Sequence, residues 1–285
     1  MNVQVKNKKL EKKINTDKAW DNLYARLKED RLIPVEQNRI VRNPVVSRLA
    51  WAAAIAVLCI LGGISFYRLN SGPSEKLLSL ENTESNTLVS TLEDGSIVYL
   101  TAGATLVYPE HFDPGKRVVS LKGEAMFDVI GNKARPFVIE TESTRIEVVG
   151  TAFRIRSSGK ESFELSVQQG IVKTTLKTSS EETLARAGET LQLEAGQLVK
   201  SISVPDSQFN QFTEKMRFKD DRLDNIVRVI SKISERPIVF ADTTLAGQKM
   251  TVTFSNDSPE YMIELLCMAL NLRHFEVGDT ILIKD

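Results

Sequence analysis

At 285 residues, with 37 basic and 37 acidic side chains, the chain has room for more than one folded core and no bulk charge to draw it to nucleic acid. Its two cysteines, Cys59 and Cys267, lie in an apolar run and an apolar helical pattern, which argues against an intrachain disulfide. The two histidines, His111 and His274, are far apart and lack ligand spacing, so no metal or other cofactor is implied.

Residues 1–47 contain one convincing helix. Asp17 is a candidate cap, and Trp20, Leu23, Tyr24 and Leu27 recur at helical spacing to form an apolar stripe. Pro34 ends the pattern, because it disfavours helix at the residue before it. A lone amphipathic helix cannot cover its own apolar face, so the stripe implies a partner. Asp17, Asp21, Glu29 and Asp30 are mixed among its Lys and Arg, which favours a groove on another protein over a membrane surface.

Residues 48–68 enclose nineteen consecutive uncharged residues, 49–67, between Arg48 and Arg68. As a helix they would reach about 28 Å, close to the thickness of a hydrocarbon core, which predicts a transmembrane helix. Twelve Lys or Arg precede the run within residues 1–48, whereas only Arg68 and Lys76 fall in the twenty residues after Tyr67. The positive-inside rule then predicts a cytoplasmic N-terminus, a single pass and an exported remainder.

A polar stretch at 69–86 reads as a linker. From 87 to 204 short β-branched or alternating runs recur between Gly, Pro, Asp and Ser, predicting an all-β domain built as a sandwich or as stacked hairpins. From 205 to 285 the pattern becomes β-α-β-β-α-β-β, an α+β module. Leu223, Ile226, Val227, Ile230 and Ile233 stripe its first helix, with Asp220 or Asp221 near the cap. The second helix starts after Ser258, with Pro259 in its first turn. The 250–254 strand, with Met250, Val252 and Phe254, is a candidate to receive a strand from a partner, the alternative being an internal strand with no free edge. No Ser/His/Asp or Cys/His set is available, so the chain is not expected to be a conventional enzyme.

Several motifs occur in a telling order: Leu92-Glu93-Asp94-Gly95-Ser96, Leu100-Thr101-Ala102-Gly103-Ala104, Tyr108-Pro109, Leu121-Lys122-Gly123-Glu124-Ala125-Met126-Phe127-Asp128-Val129, Arg135-Pro136-Phe137-Val138-Ile139, Val149-Gly150-Thr151-Ala152-Phe153 and Val167-Gln168-Gln169-Gly170-Ile171-Val172. Together they resemble the FecR domain of transmembrane anti-sigma regulators. The last eighty or so residues resemble the C-terminal module of Bacteroidetes members, itself similar to the signalling domains of TonB-dependent receptors and secretins. Met216-Arg217-Phe218, Met250-Thr251-Val252-Thr253-Phe254 and Leu265-Leu266-Cys267 carry that likeness.

The resemblance implies a bacterial inner-membrane protein with a periplasmic C-terminus. Its N-terminal segment would bind an extracytoplasmic-function sigma factor, and its periplasmic domains would sense the signalling domain of an outer-membrane TonB-dependent receptor. The outcome would be control of iron or glycan uptake genes, without direct contact to nucleic acid. The competing reading is a structural scaffold of the envelope. In several FecR-type regulators a Gly-Thr bond at the Gly150–Thr151 motif cleaves itself. Here Thr151 supplies the hydroxyl and Gly150 leaves its carbonyl unobstructed. A turn glycine leading into the next strand explains the same pair without chemistry.

Overall fold

The computed structural model describes residues 16–30, 32, 57–63, 65, 76–202 and 207–284. The chain divides into two compact units, Met1–Gly72 and Pro73–Asp285. In the first, helix α1 (Thr16–Glu29) carries the expected stripe.

The expected membrane architecture is corrected here. Among the described residues no helix is long and apolar enough to cross a membrane. Within 48–68 helix is described only at 57–63 and 65, and the rest of that stretch lies outside the described residues. A hydrocarbon core requires about 30 Å of helix, and no described helix reaches that. The single-pass span, the inner-membrane placement and the cytoplasmic and periplasmic sides assigned to the two ends are set aside with it.

The second unit is built on two facing sheets that share one long strand. Strands β1 (Leu77–Glu81), β4 (Thr105–Pro109), β6 (Phe137–Glu140), β7 (Thr144–Val148), β10 (Ile171–Leu176) and β11 (Glu182–Arg186) form the first sheet with the N-terminal half of β5 (Arg117–Asp128). The C-terminal half of β5 joins the second sheet. There it lies between β3 (Ile97–Leu100) and β8 (Ala152–Ser157). Beyond β8 come β9 (Phe163–Gln169), β12 (Glu189–Glu194) and β13 (Gln197–Ile202); beyond β3 comes β2 (Thr87–Thr91). The stretch expected as a linker therefore supplies β1. Gly123 lies where β5 passes from one sheet to the other. Its φ is +97°, and a Cβ there would fall 2.8 Å from Ala104 Cα, so a side chain is barred twice over.

Side-chain alternation divides the apolar residues between two cores. Val98, Leu100, Phe127, Phe137, Ile139, Ile146, Phe153 and Ile155 fill the space between the sheets. Their strand neighbours Val89, Ile97, Tyr99 and Met126 point to the other face of the second sheet, where the C-terminal module covers them. That module comprises α2 (Ser207–Glu214), β14 (Lys215–Arg222), α3 (Leu223–Ser234), β15 (Ile238–Phe240), β16 (Lys249–Ser255), α4 (Pro259–Leu270), β17 (Arg273–Val277) and β18 (Thr280–Lys284). Leu223, Ile226, Val227 and Ile230 of α3 and Met262 and Leu266 of α4 are buried in this second core, and Ile233 packs at its edge.

The module has no sheet of its own for its first strands. β14 pairs in parallel with β2 through Met216 with Thr87 and Arg217 with Leu88, and β16 then pairs with β14. β15, β18 and β17 make a separate three-stranded sheet. Ser258 caps α4 by accepting from the Tyr261 N–H, with Pro259 following, as the sequence predicts. α3 differs. Its N-cap is Arg222 with no side-chain cap, because β14 continues through a bulge to that residue and Asp220 sits at φ +49° within it.

Candidate functional site

Gly150 and Thr151 lie in the short connection between β7 and β8, clamped on both sides by the segment after β5. Asn132 N–H donates to Val149 O at 2.8 Å, and Val129 N–H donates to Thr151 O at 2.9 Å. Thr151 is buried, and its Oγ1 has no hydrogen-bond partner among the described residues. Two further glycines, Gly131 and Gly170, lie against the pair. A Cβ on Gly150 would lie 2.6 Å from Gly131 Cα; one on Gly170, whose φ is +90°, would lie 2.6 Å from Thr151 Cγ2 and 3.0 Å from Gly150 O. The peptide bond thus fits a slot that leaves no room for a side chain at 150 or 170.

Outside the slot opens a groove of about 760 Å³ with Val149, Ile171 and Leu184 in its wall. Lys173, beside them, is shared between Glu147 at 3.4 Å and Glu182 at 3.5 Å. His111 does not line this groove; it pairs with Glu93 at 2.9 Å. Chemically, the slot presents a hydroxyl with no competing hydrogen bond on the residue that follows a carbonyl, the minimum for an intramolecular acyl shift. Gly131 and Gly170 escape sequence reasoning as parts of this site. The one hint is the Gln169-Gly170-Ile171 turn before β10.

The α1 residues occupy a different place. Trp20 is 67 % exposed, Tyr24 63 % and Leu23 46 %, with Leu27 half-buried, so the stripe has no cover among the described residues. Met250, Val252 and Phe254 lie on β16, which among the described residues pairs only with β14 and is an edge strand. Their side chains turn inward: Phe254 is buried in the second core, and Met250 and Val252 pack against it. The edge's free backbone groups belong to the alternate residues. Asn256 N–H bonds to Glu214 O, which places 254 and 252 in the bonded set toward β14 and leaves the N–H and C=O groups of Thr251 and Thr253 facing outward.

The motif residues Asp94, Glu124 and Arg135 are engaged in architecture. Asp94 accepts from Ser96 N–H and from the Arg117 guanidinium. Arg135 donates to the carbonyls of Phe112 and Asp113. Glu124 holds Arg154, whose other side meets Glu164 at 2.8 Å. Among the described residues no three His, Cys, Asp or Glu side chains converge as a metal site would require.

The family model described as FecR protein matches residues 80–173, and the one described as FecR, C-terminal, matches residues 215–283, which together make up more than half of the chain. The chain belongs to the FecR family. Among solved structures, two crystal structures of a candidate anti-sigma factor from Parabacteroides distasonis match at 19 % identity. They cover 74 % and 72 % of this chain and 99 % and 98 % of their own, with TM-scores of 0.46 and 0.45. No curated protein matches.

Proposed function

We propose that this protein is an anti-sigma regulator. Its α1 seats an extracytoplasmic-function sigma factor, and its C-terminal module meets the signalling domain of a TonB-dependent receptor. Family membership supports a sigma-regulator role. The observation that carries the finer reading is the uncovered stripe of α1: two aromatic rings and a leucine held in solvent on one helical face. An isolated helix of this length is marginal in water, and a groove on a partner would supply the missing apolar contact. Large aromatic anchors usually dominate such interfaces. Trp20→Ala is expected to weaken binding of the cognate sigma factor by at least about 2 kcal/mol in a titration. Since Trp20 is largely exposed, folding should change by no more than about 0.5 kcal/mol. Undiminished binding would remove α1 from the interface.

The slot around Gly150–Thr151 favours a second activity of the same molecule, a single self-cleavage. Thr151 Oγ1 attacks the Gly150 carbonyl carbon, the C–N bond breaks as the hydroxyl proton passes to the leaving amine, and water then opens the ester to free the Gly150 carboxylate. The partnerless buried hydroxyl supports this reading. Protein tagged at both ends should run as two fragments on a denaturing gel, and Thr151→Ala should run as one. Intact wild-type protein would exclude the cleavage.

A further inference from the structure

One edge of the first sheet, strand β11, is complementary to itself. Among the described residues β11 pairs only with β10 and is the last strand of its sheet. It has no proline and no bulge, the usual devices that blunt an exposed edge. Leu176 N–H bonds to Glu181 O and Ala187 N–H bonds to Gly170 O, so the odd-numbered residues of this pairing face β10. The backbone groups of Glu182, Leu184 and Arg186 therefore point away from the sheet. Their side chains share its outer face, and all three are exposed.

An antiparallel pair of two such edges centred on Leu184 would set Leu184 against its own copy. It would also set Glu182 against the partner's Arg186, and Arg186 against the partner's Glu182. Each of these three pairs joins residues whose backbone groups face away from β10, and one donor is already engaged: the Arg186 N–H is held by Glu189 Oε2 at 2.7 Å. Four inter-strand hydrogen bonds remain, two between the leucines and two from Glu182 N–H to the partner's Arg186 carbonyl. A one-residue slip would break both the charge match and the hydrogen-bond match. Behind the edge, the outer face carries Ile171 53 %, Leu184 47 % and Val149 39 % exposed, with the Lys173–Glu147 ion pair between them. The two strips would join across the two-fold axis, giving the isologous contact typical of closed dimers.

We infer that a second copy of this chain docks on the β11 edge, joining two first sheets into one through Leu184 at the two-fold axis. Opposed residues of a bonded antiparallel pair have Cα atoms about 5.5 Å apart, within disulfide reach. In full-length protein carrying Cys59→Ser, Leu184→Cys should therefore cross-link with itself under mild oxidation. Glu182→Cys and Arg186→Cys should cross-link only when the two are mixed. In analytical sedimentation the wild type should show a monomer–dimer equilibrium, and Leu184→Asp should be monomeric. Glu182→Lys should weaken the dimer about tenfold, and Glu182→Lys with Arg186→Glu should restore it, because both pairs are then reversed together. A wild type that stays monomeric would overturn the inference, as would a dimer that survives Leu184→Asp, a Leu184→Cys that fails to cross-link, or a double reversal no better than the single one.

Discussion

Arg117 Nη1 lies 2.6 Å from Asp94 Oδ2, with the two side chains 2 % and 10 % exposed. The guanidinium also donates from Nε to Arg135 O and from Nη1 to Ile130 O, and it lies over the Phe137 ring at 5.3 Å. One arm, Nη2, has no partner among the described residues. A buried cation so placed depends on its single carboxylate. Asp94→Ala should cost about 3–5 kcal/mol, because it strands the charge. Asp94→Ala combined with Arg117→Met should cost less than the sum of the single changes. Urea unfolding followed by circular dichroism measures both, since neither tryptophan lies within residues 73–285.

Gly170 and Gly103 separate backbone strain from steric exclusion. Both have positive φ, +90° and +75°, but a Cβ on Gly103 meets nothing within 4 Å. Gly103→Ala should cost about 1–2 kcal/mol from conformation alone. Gly170→Ala should cost more, because its Cβ would also press on Thr151 Cγ2. Thermal melts of the two variants should rank in that order, and equal losses would mean the slot around Thr151 yields freely.

Asp221 gives a pH dependence. Burial raises its carboxyl above the ordinary value of 3.8, against hydrogen bonds from the Asn225 amide and the Arg222 N–H that pull it down. Its charge in turn helps burial raise the Tyr108 hydroxyl. The folded state therefore binds this proton more tightly than the unfolded one. Stability is lost as pH rises from the unfolded value through the folded one, and the full penalty stands above both. Asp221→Asn should raise the melting temperature at pH 7 and leave it nearly unchanged below pH 3.8. An equal gain at both pH values would mean that the carboxylate's charge is not the cause.

Much of this architecture was legible because burial imposes a period. The alternating runs of 87–204 became strands, and the 3.6-residue stripe of Leu223, Ile226, Val227 and Ile230 became α3. Four adjacent apolar residues, Ile97, Val98, Tyr99 and Leu100, do not alternate because both faces of β3 are covered, which the run by itself could not reveal. Long-range choices left no local mark. The sharing of β5 between sheets and the docking of β14 on β2 depend on residues far away in the chain. The glycines around Thr151 come from three separate turns. At β16 the sequence pointed to Met250, Val252 and Phe254, whereas the outward backbone belongs to their neighbours; hydrogen-bond parity depends on register, and composition does not encode it. Apolarity over 49–67 predicts a span, yet among the described residues no helix is long and apolar enough to cross a membrane.

The same parity gives a test of the proposed receptor contact at the β16 edge. Thr253→Pro removes an outward N–H from β16 while sparing the bonds from Val252 and Phe254 to β14, a position where an edge strand tolerates proline. Binding of the cognate receptor signalling domain should fall at least about tenfold in calorimetry if that domain adds a strand here. Affinity unchanged by Thr253→Pro would place the contact elsewhere on the module.

The parallel pairing of residues 87–88 with 216–217 also orders events during synthesis. β2 emerges early, but one of its two neighbours is not made until most of the chain has left the ribosome. Until then Val89, Ile97, Tyr99 and Met126 have no helices over them, and the sandwich presents an apolar face beside an open strand. The nascent protein thus passes through a stage in which its first domain is shaped but sticky. A chain truncated after residue 202 would remain there, prone to aggregate and a natural client for chaperones.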